Sequence, residues 1–212
     1  MALLVSLVRG VVVLDRSVRA GAWDDHAAGP LPRLSDMRLG LIGFGRIGRA
    51  VARRARGLGI ETRASDPLVP ASEMIAEGVK PMALDELLRE STVISLHVPF
   101  TKEREHLIGE RELRLLPQGS YLVNTARGQL VDTAALIAAL ESDQLAGAAL
   151  DVLPAEPPTA SHPIPTHPKL VVTPHAAWYS PKAEAEVVQK ACTALSAVLN
   201  GEPAEGVIVP GI

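Results

Sequence analysis

Apolar residues in this chain fall in short runs, and the spacing within the runs changes along the sequence. Leu4, Leu7, Val8, Val11, Leu14 and Val18 recur at three- and four-residue steps, which predicts one buried helix over residues 2–20. Residues 38–42 predict a strand. Residues 47–58 return to helical spacing, with Ile47, Val51, Ala55 and Leu58 on one face. Further strand-like runs lie at 60–65, 92–96, 120–123, 147–150 and 170–173, with short helical patterns between several of them. Asp132 reads as the N-cap of one such helix, whose apolar stripe is Leu136, Ala139 and Leu140. A last helix opens with Ser180 as N-cap and Pro181 in its first turn. It turns Val187, Val188, Ala191, Leu195 and Val198 inward and stops at Asn200 and Gly201. Near-continuous apolar strands alternating with helices predict an α/β fold, a doubly wound parallel sheet covered on both faces. Prolines 154, 157, 158, 163, 165 and 168 interrupt that rhythm and predict a stiff loop over 153–168.

The 212 residues, 47% of them hydrophobic, suffice for one full-sized domain with a remnant of a second. The expected division is a helix over 1–20, a nucleotide-binding domain over 21–180 and a C-terminal helix with the remnant over 181–212. A net charge of −3 gives no bulk attraction to nucleic acid or to acidic membranes. The apolar stretch 2–14 is too short to span a bilayer. Arg9 interrupts it, and neither a basic lead nor a cleavage site flanks it, so it is not read as a signal peptide. The one cysteine, Cys192, allows no intrachain disulfide and suits a reducing cytoplasm. His26, His106, His162 and His167 have no paired ligand spacing, and no metal site is expected.

Gly43-Phe44-Gly45-Arg46-Ile47-Gly48 follows the first predicted strand and opens a helix, and Asp66 ends the next strand. Those are the surroundings that a dinucleotide-binding turn of the Rossmann type requires. Gly43 permits the tight turn, Gly45 lets a pyrophosphate approach the backbone, and Gly48 lets the helix lie close to the sheet. The helix's first amides then face the phosphates. Asp66 can bind both ribose hydroxyls and repels a 2′-phosphate, which favours NAD over NADP.

Three further residues carry candidate chemistry. Arg127 follows a strand end, where a guanidinium can grip a carboxylate in two-pronged fashion and polarise a neighbouring carbonyl. An isolated Arg there would read as a surface ion pair. His175 follows Thr173 and Pro174 after another strand, and Glu156 lies in the proline-rich loop. A carboxylate against an imidazole stabilises the imidazolium and fixes its tautomer, which makes His175 a candidate acid/base for a carbonyl. His97 reads as part of the wall near the nicotinamide or the adenosine.

The segments 41–48, 65–67, 122–128, 149–152 and 173–175, in that order, resemble the D-isomer-specific 2-hydroxyacid dehydrogenases over most of the chain. His175-Ala176-Ala177-Trp178-Tyr179-Ser180 is closer to one branch, the C-terminal-binding protein corepressors and their bacterial relatives. The resemblance implies NAD-dependent hydride transfer between a 2-keto acid and a D-2-hydroxy acid. It implies Arg127 as the substrate-binding Arg, Glu156 as carboxylate partner and His175 as acid/base. It also implies an NAD site at Gly43, Phe44, Gly45, Arg46, Ile47, Gly48, Asp66, His97, Val98, Pro99, Thr101, Thr125, Ala126, Arg127, Asp151, His175, Ala177 and Trp178. Trp178 then borders the substrate pocket, or else anchors the last helix. Family members carry more chain before the first helix, forming most of a substrate domain. Only the returning segment, about 200–212, is expected here. The family builds a two-fold dimer near the first helix, and a homodimer is expected. Other readings of the same residues are an NAD(H)-binding regulatory or corepressor-like module without turnover, or an inactive truncated fragment.

Overall fold

The computed structural model describes residues 1–160 and 163–204. His162 and most of the expected returning segment lie outside these. The chain divides into two compact units, 1–174 and 175–212.

The first unit starts with α1 (Ala2–Val8) and α2 (Val11–Arg19), then alternates strand and helix. It runs β1 (Arg38–Ile42), α3 (Arg46–Gly57), β2 (Glu61–Ser65), α4 (Ala71–Ala76), β3 (Lys80–Pro81), α5 (Leu84–Glu90) and β4 (Val93–Leu96). It continues through α6 (Glu110–Leu115), β5 (Ser120–Asn124), α7 (Thr133–Glu141), β6 (Leu145–Leu150) and β7 (Leu170–Val172). The seven strands form one sheet in the order β3-β2-β1-β4-β5-β6-β7, and every pairing is parallel.

Successive strand residues point to opposite faces, and here they feed two cores. Leu39 and Leu41 of β1, Val93 of β4, and Tyr121 and Val123 of β5 pack with Leu4, Leu7 and Val8 of α1 and Ala52 and Ala55 of α3. Ile42, Ile94, Leu96, Leu122 and Leu150 pack instead with Leu87 and Leu88 of α5, Leu113 of α6 and Leu136 and Leu140 of α7. Both faces of the sheet are therefore covered, as apolar strands without alternation require. Asp132 caps α7 as expected, its carboxylate accepting from the amides of Ala134 at 2.9 Å and Ala135 at 3.1 Å.

Four expectations need correction. The predicted helix over 2–20 breaks at Gly10, which has φ +62°. Only α1 contributes to the core, while Val11 and Val18 of α2 are about half exposed. In α3 the buried side is Gly48, Ala52 and Ala55, whereas Ile47 is 65% exposed. The sheet gains an edge strand, β3, that two residues were too few to signal. In the second unit, α8 (Pro181–Leu199) has its Ser180 cap, which accepts from the Ala183 amide at 3.0 Å, but none of its residues is buried. Its apolar stripe faces solvent.

Candidate functional site

Because all seven strands are parallel, their carboxyl ends share one edge. The strand order reverses between β1 and β4, and a crevice opens there. The turn 43–48 fills its base. Gly43 has φ +97°, and a Cβ on it would lie 2.7 Å from the His97 carbonyl oxygen. A Cβ on Gly48 would lie 2.3 Å from the Gly43 carbonyl oxygen, so a side chain at either site would push α3 off the sheet. Gly45 is different. A Cβ there meets nothing within 4 Å, and Gly45, Arg46 and Ile47 are exposed. The first amides of α3 have no acceptor inside the helix and face that open side.

Phe44 is fully buried, and its N–H donates to Asp66 Oδ2 at 2.8 Å. The other oxygen, Oδ1, accepts from Leu68 N–H at 2.9 Å. Asp66 therefore latches the glycine turn to the loop after β2 and still has lone pairs to offer. Beyond it lies a cleft of about 800 Å³, walled by Val69, Met74, Met82, Leu84, Val98 and Leu107, with His97, Pro99 and Arg104 at its edge. His97 is partly exposed as a residue, but its Nε2 is buried without a hydrogen-bond partner among the described residues. Burial pushes its imidazole down to about 4, with the N-terminal amino group a lesser cause, so it is neutral near pH 7. Thr101 starts the 3-10 turn Lys102–Arg104, and Arg104 Nη1 donates to the Pro99 carbonyl at 3.2 Å.

A second group of expected residues lies farther along the same edge. Asn124 ends β5 and shapes the next turn. Its side chain accepts from Ala126 N–H at 3.0 Å and donates to the Arg127 carbonyl at 2.8 Å. Thr125 and Ala126 are half-buried in that turn. The Arg127 guanidinium is exposed, its Nη1 donating to the Ala126 carbonyl at 2.6 Å. Gly128 then touches the proline-rich loop so closely that a Cβ would lie 2.0 Å from the Leu153 carbonyl carbon. Gln129 Nε2 donates to the Pro154 carbonyl at 3.0 Å, and Glu156 Oε1 accepts from Leu153 N–H at 2.7 Å. The segments carrying Arg127 and Glu156 are thus locked backbone to backbone. Asp151 is buried at the end of β6 and accepts from the Thr173 hydroxyl.

His175, Ala177 and Trp178 belong to the second unit. His175 has φ +52°, and the Trp178 ring meets Tyr179 edge-on at 5.7 Å. Sequence reading missed Gly128 as a positioning residue and, apart from Val98, the apolar wall from Val69 to Leu107. Val98 was expected at the cofactor site; the other wall residues lay in or beside segments given only as short helical patterns between strands. Among the described residues, no group of three or more His, Cys, Asp or Glu is placed to hold a metal ion, and no helix is long and apolar enough to cross a membrane.

Residues 1–177 match the model of the D-isomer specific 2-hydroxyacid dehydrogenase NAD binding domain. The chain belongs to this family. It is 38% identical over 206 residues to a glyoxylate reductase of Thermofilum pendens, covering 94% of this chain and 60% of that protein. A glyoxylate reductase of Korarchaeum cryptofilum is 40% identical over 205 residues, covering 95% of this chain and 61% of the relative. The D-lactate dehydrogenase from Aquifex aeolicus, solved with NAD and lactic acid, superposes with a TM-score of 0.87 at 30% identity, over 99% of this chain and 68% of that one. The chain thus spans about 60% of the length of these curated relatives. The corepressor branch is not what these relatives represent.

The family's cofactor, NAD, fits the residues present. The open backbone over Gly45 can receive a pyrophosphate, Asp66 lines the cleft with lone pairs left to accept from hydroxyls, and the apolar wall suits a flat base.

Proposed function

We propose that this chain forms the cofactor-binding part of an oxidoreductase that moves a hydride between NAD(H) and a D-2-hydroxy acid/2-keto acid pair. The observation that carries the reading is the backbone contact of Gly128 with Leu153. It sets the Arg127 turn against the Glu156 loop at the carboxyl edge of the sheet. NAD supplies the hydride donor or acceptor when bound. Arg127 binds the substrate carboxylate in two-pronged fashion and polarises the adjacent carbonyl. His175 gives a proton to the carbonyl oxygen during reduction and takes it back during oxidation, and Glu156 supports the imidazolium. Thr101, Thr125, Ala126, Asp151, Ala177 and Trp178 complete the cofactor surround. The names of the relatives support a small 2-keto acid as substrate.

Arg127→Ala should lower 2-keto acid turnover about 100-fold or more while the NADH dissociation constant stays within a factor of a few. Turnover equal to wild type would remove Arg127 from the mechanism.

A second reading keeps the cofactor and drops the chemistry. The run from His175 to Ser180 resembles the corepressor branch, and it supports an NAD(H)-binding regulatory module. NADH oxidation assayed across a panel of 2-keto acids separates the two, because a module binds NADH tightly and oxidises it with none of them. A homodimer through α2 and the following loop is supported by exposed Val11, Val18 and Trp23, the last 93% exposed. A monomer by light scattering at micromolar concentration would overturn it. The unpartnered Cys192 supports a cytoplasmic location.

A further inference from the structure

We propose that Arg49 is a positioning residue that sets the affinity for the adenosine half of the cofactor by holding α4 against the glycine turn. The inference rests on the NAD site described above. Arg49 lies one turn into α3, its amide donating to the Gly45 carbonyl at 3.0 Å. Its guanidinium lies 5.0 Å from the centre of the Phe44 ring, the residue whose amide is held by Asp66. The same guanidinium reaches two carboxylates of the next helical segment, Glu73 at 2.5 Å through Nη2 and Glu77 at 2.9 Å through Nη1. Arg53 adds a contact to the other Glu77 oxygen at 3.2 Å.

Three features make this more than a surface ion pair. The Arg49 and Glu77 side chains are about a quarter exposed, so the pair is partly shielded from solvent. α4 has six residues and no side-chain cap, so it cannot hold itself and takes its position from tertiary contacts. Glu73 and Glu77 are like charges four residues apart, which repel unless a cation bridges them. The hydrogen bond from Arg49 accordingly holds the Glu77 carboxyl below its ordinary range, and the two carboxylates hold the guanidinium above its own. The face of α4 that carries Ala71 and Met74 walls the cleft. Releasing Arg49 lets that wall drift from the base it would stack on.

The test titrates the full chain with NADH and with ADP-ribose, and follows amide hydrogen exchange over residues 71–77 without ligand. Arg49→Met should weaken ADP-ribose and NADH binding about five- to tenfold and speed that exchange. Adding Glu73→Gln and Glu77→Gln to Arg49→Met removes the repulsion and should recover part of the loss, which a merely structural lesion would not. Where Arg49→Met does not fold, Glu77→Gln, which keeps Arg49 on Phe44, carries the test with about a threefold loss. Unchanged ADP-ribose affinity in a folded variant, unchanged exchange in α4, or no recovery in the triple variant overturns the inference. A wild-type chain that binds neither ligand overturns the cofactor reading along with it.

Discussion

The two ends of the sheet edge are built on different principles. At the β1–β4 crevice, the proposed cofactor cradle is shaped by backbone and core: glycines without room for a Cβ, a fully buried Phe44, and an Asp66 whose oxygens already hold two amides. At the β5–β6 end, the side chains proposed to act on substrate are exposed and stand on loops. Arg127 and Glu156 are exposed, yet Arg127 Nη1 donates to the Ala126 carbonyl and Glu156 Oε1 accepts from Leu153 N–H, over a backbone that is itself locked. A cofactor that is bound the same way in every cycle can be met by a rigid cradle. A substrate that must be gripped, polarised and released calls for exposed side chains carried on loops whose backbone is fixed.

That contrast breaks most sharply at Gly128. Gly128→Ala places a methyl group 2.0 Å from the Leu153 carbonyl carbon, which is backbone and cannot rotate away. The loop must move and take Glu156 with it. We expect 2-keto acid turnover to fall about 100-fold, on the order of 3 kcal/mol in the barrier, with NADH affinity within about threefold of wild type. Steady-state kinetics beside a fluorescence titration measure both. Turnover that survives would show that the two loops need not be locked together.

The crevice should respond to acid through His97. The folded-state pKa of His97, about 4, lies below its ordinary value of 6.5. Between these values the unfolded chain binds a proton that the folded chain refuses. Stability from this source is complete above about pH 6.5 and is lost as the pH falls toward 4, by up to roughly 3 kcal/mol. Urea unfolding at pH 7.5 and pH 4.5 should show a larger drop in wild type than in His97→Gln, whose side chain stays neutral throughout. Equal drops would mean that His97 does not resist protonation.

Much of the crevice was legible in the sequence because glycine spacing and a strand-end carboxylate are local signals. Gly43, Gly48 and Asp66 stand where the motif puts them. The strands and the capped α7 were legible for the same reason, being defined by neighbours in sequence. The misread positions were decided by contacts across the fold. Ile47 looked inward by helical spacing, yet the sheet contacts the side of α3 bearing Gly48, Ala52 and Ala55 because only small residues let the helix approach. Gly10 broke a helix whose apolar steps ran through it without interruption. Gly128 carried no signal of its approach to Leu153, since that contact spans 25 residues of chain. The clamp from Arg49 to α4 was hidden for the same reason.

The smallest expected effect separates two roles of one side chain. Asp66 latches Phe44 and Leu68, and its charge is read as the element that rejects a 2′-phosphate. Asp66→Asn keeps the size, removes the charge, and leaves one of the two amides facing an NH₂ group in place of an acceptor. NADH affinity should fall about tenfold, near 1.4 kcal/mol. If the charge is what discriminates, NADPH should lose less than NADH or even gain, and the ratio of their dissociation constants should narrow. If both ligands weaken by the same factor, Asp66 acts on the cofactor only through the turn it holds, and the preference for NAD must come from elsewhere in the cleft.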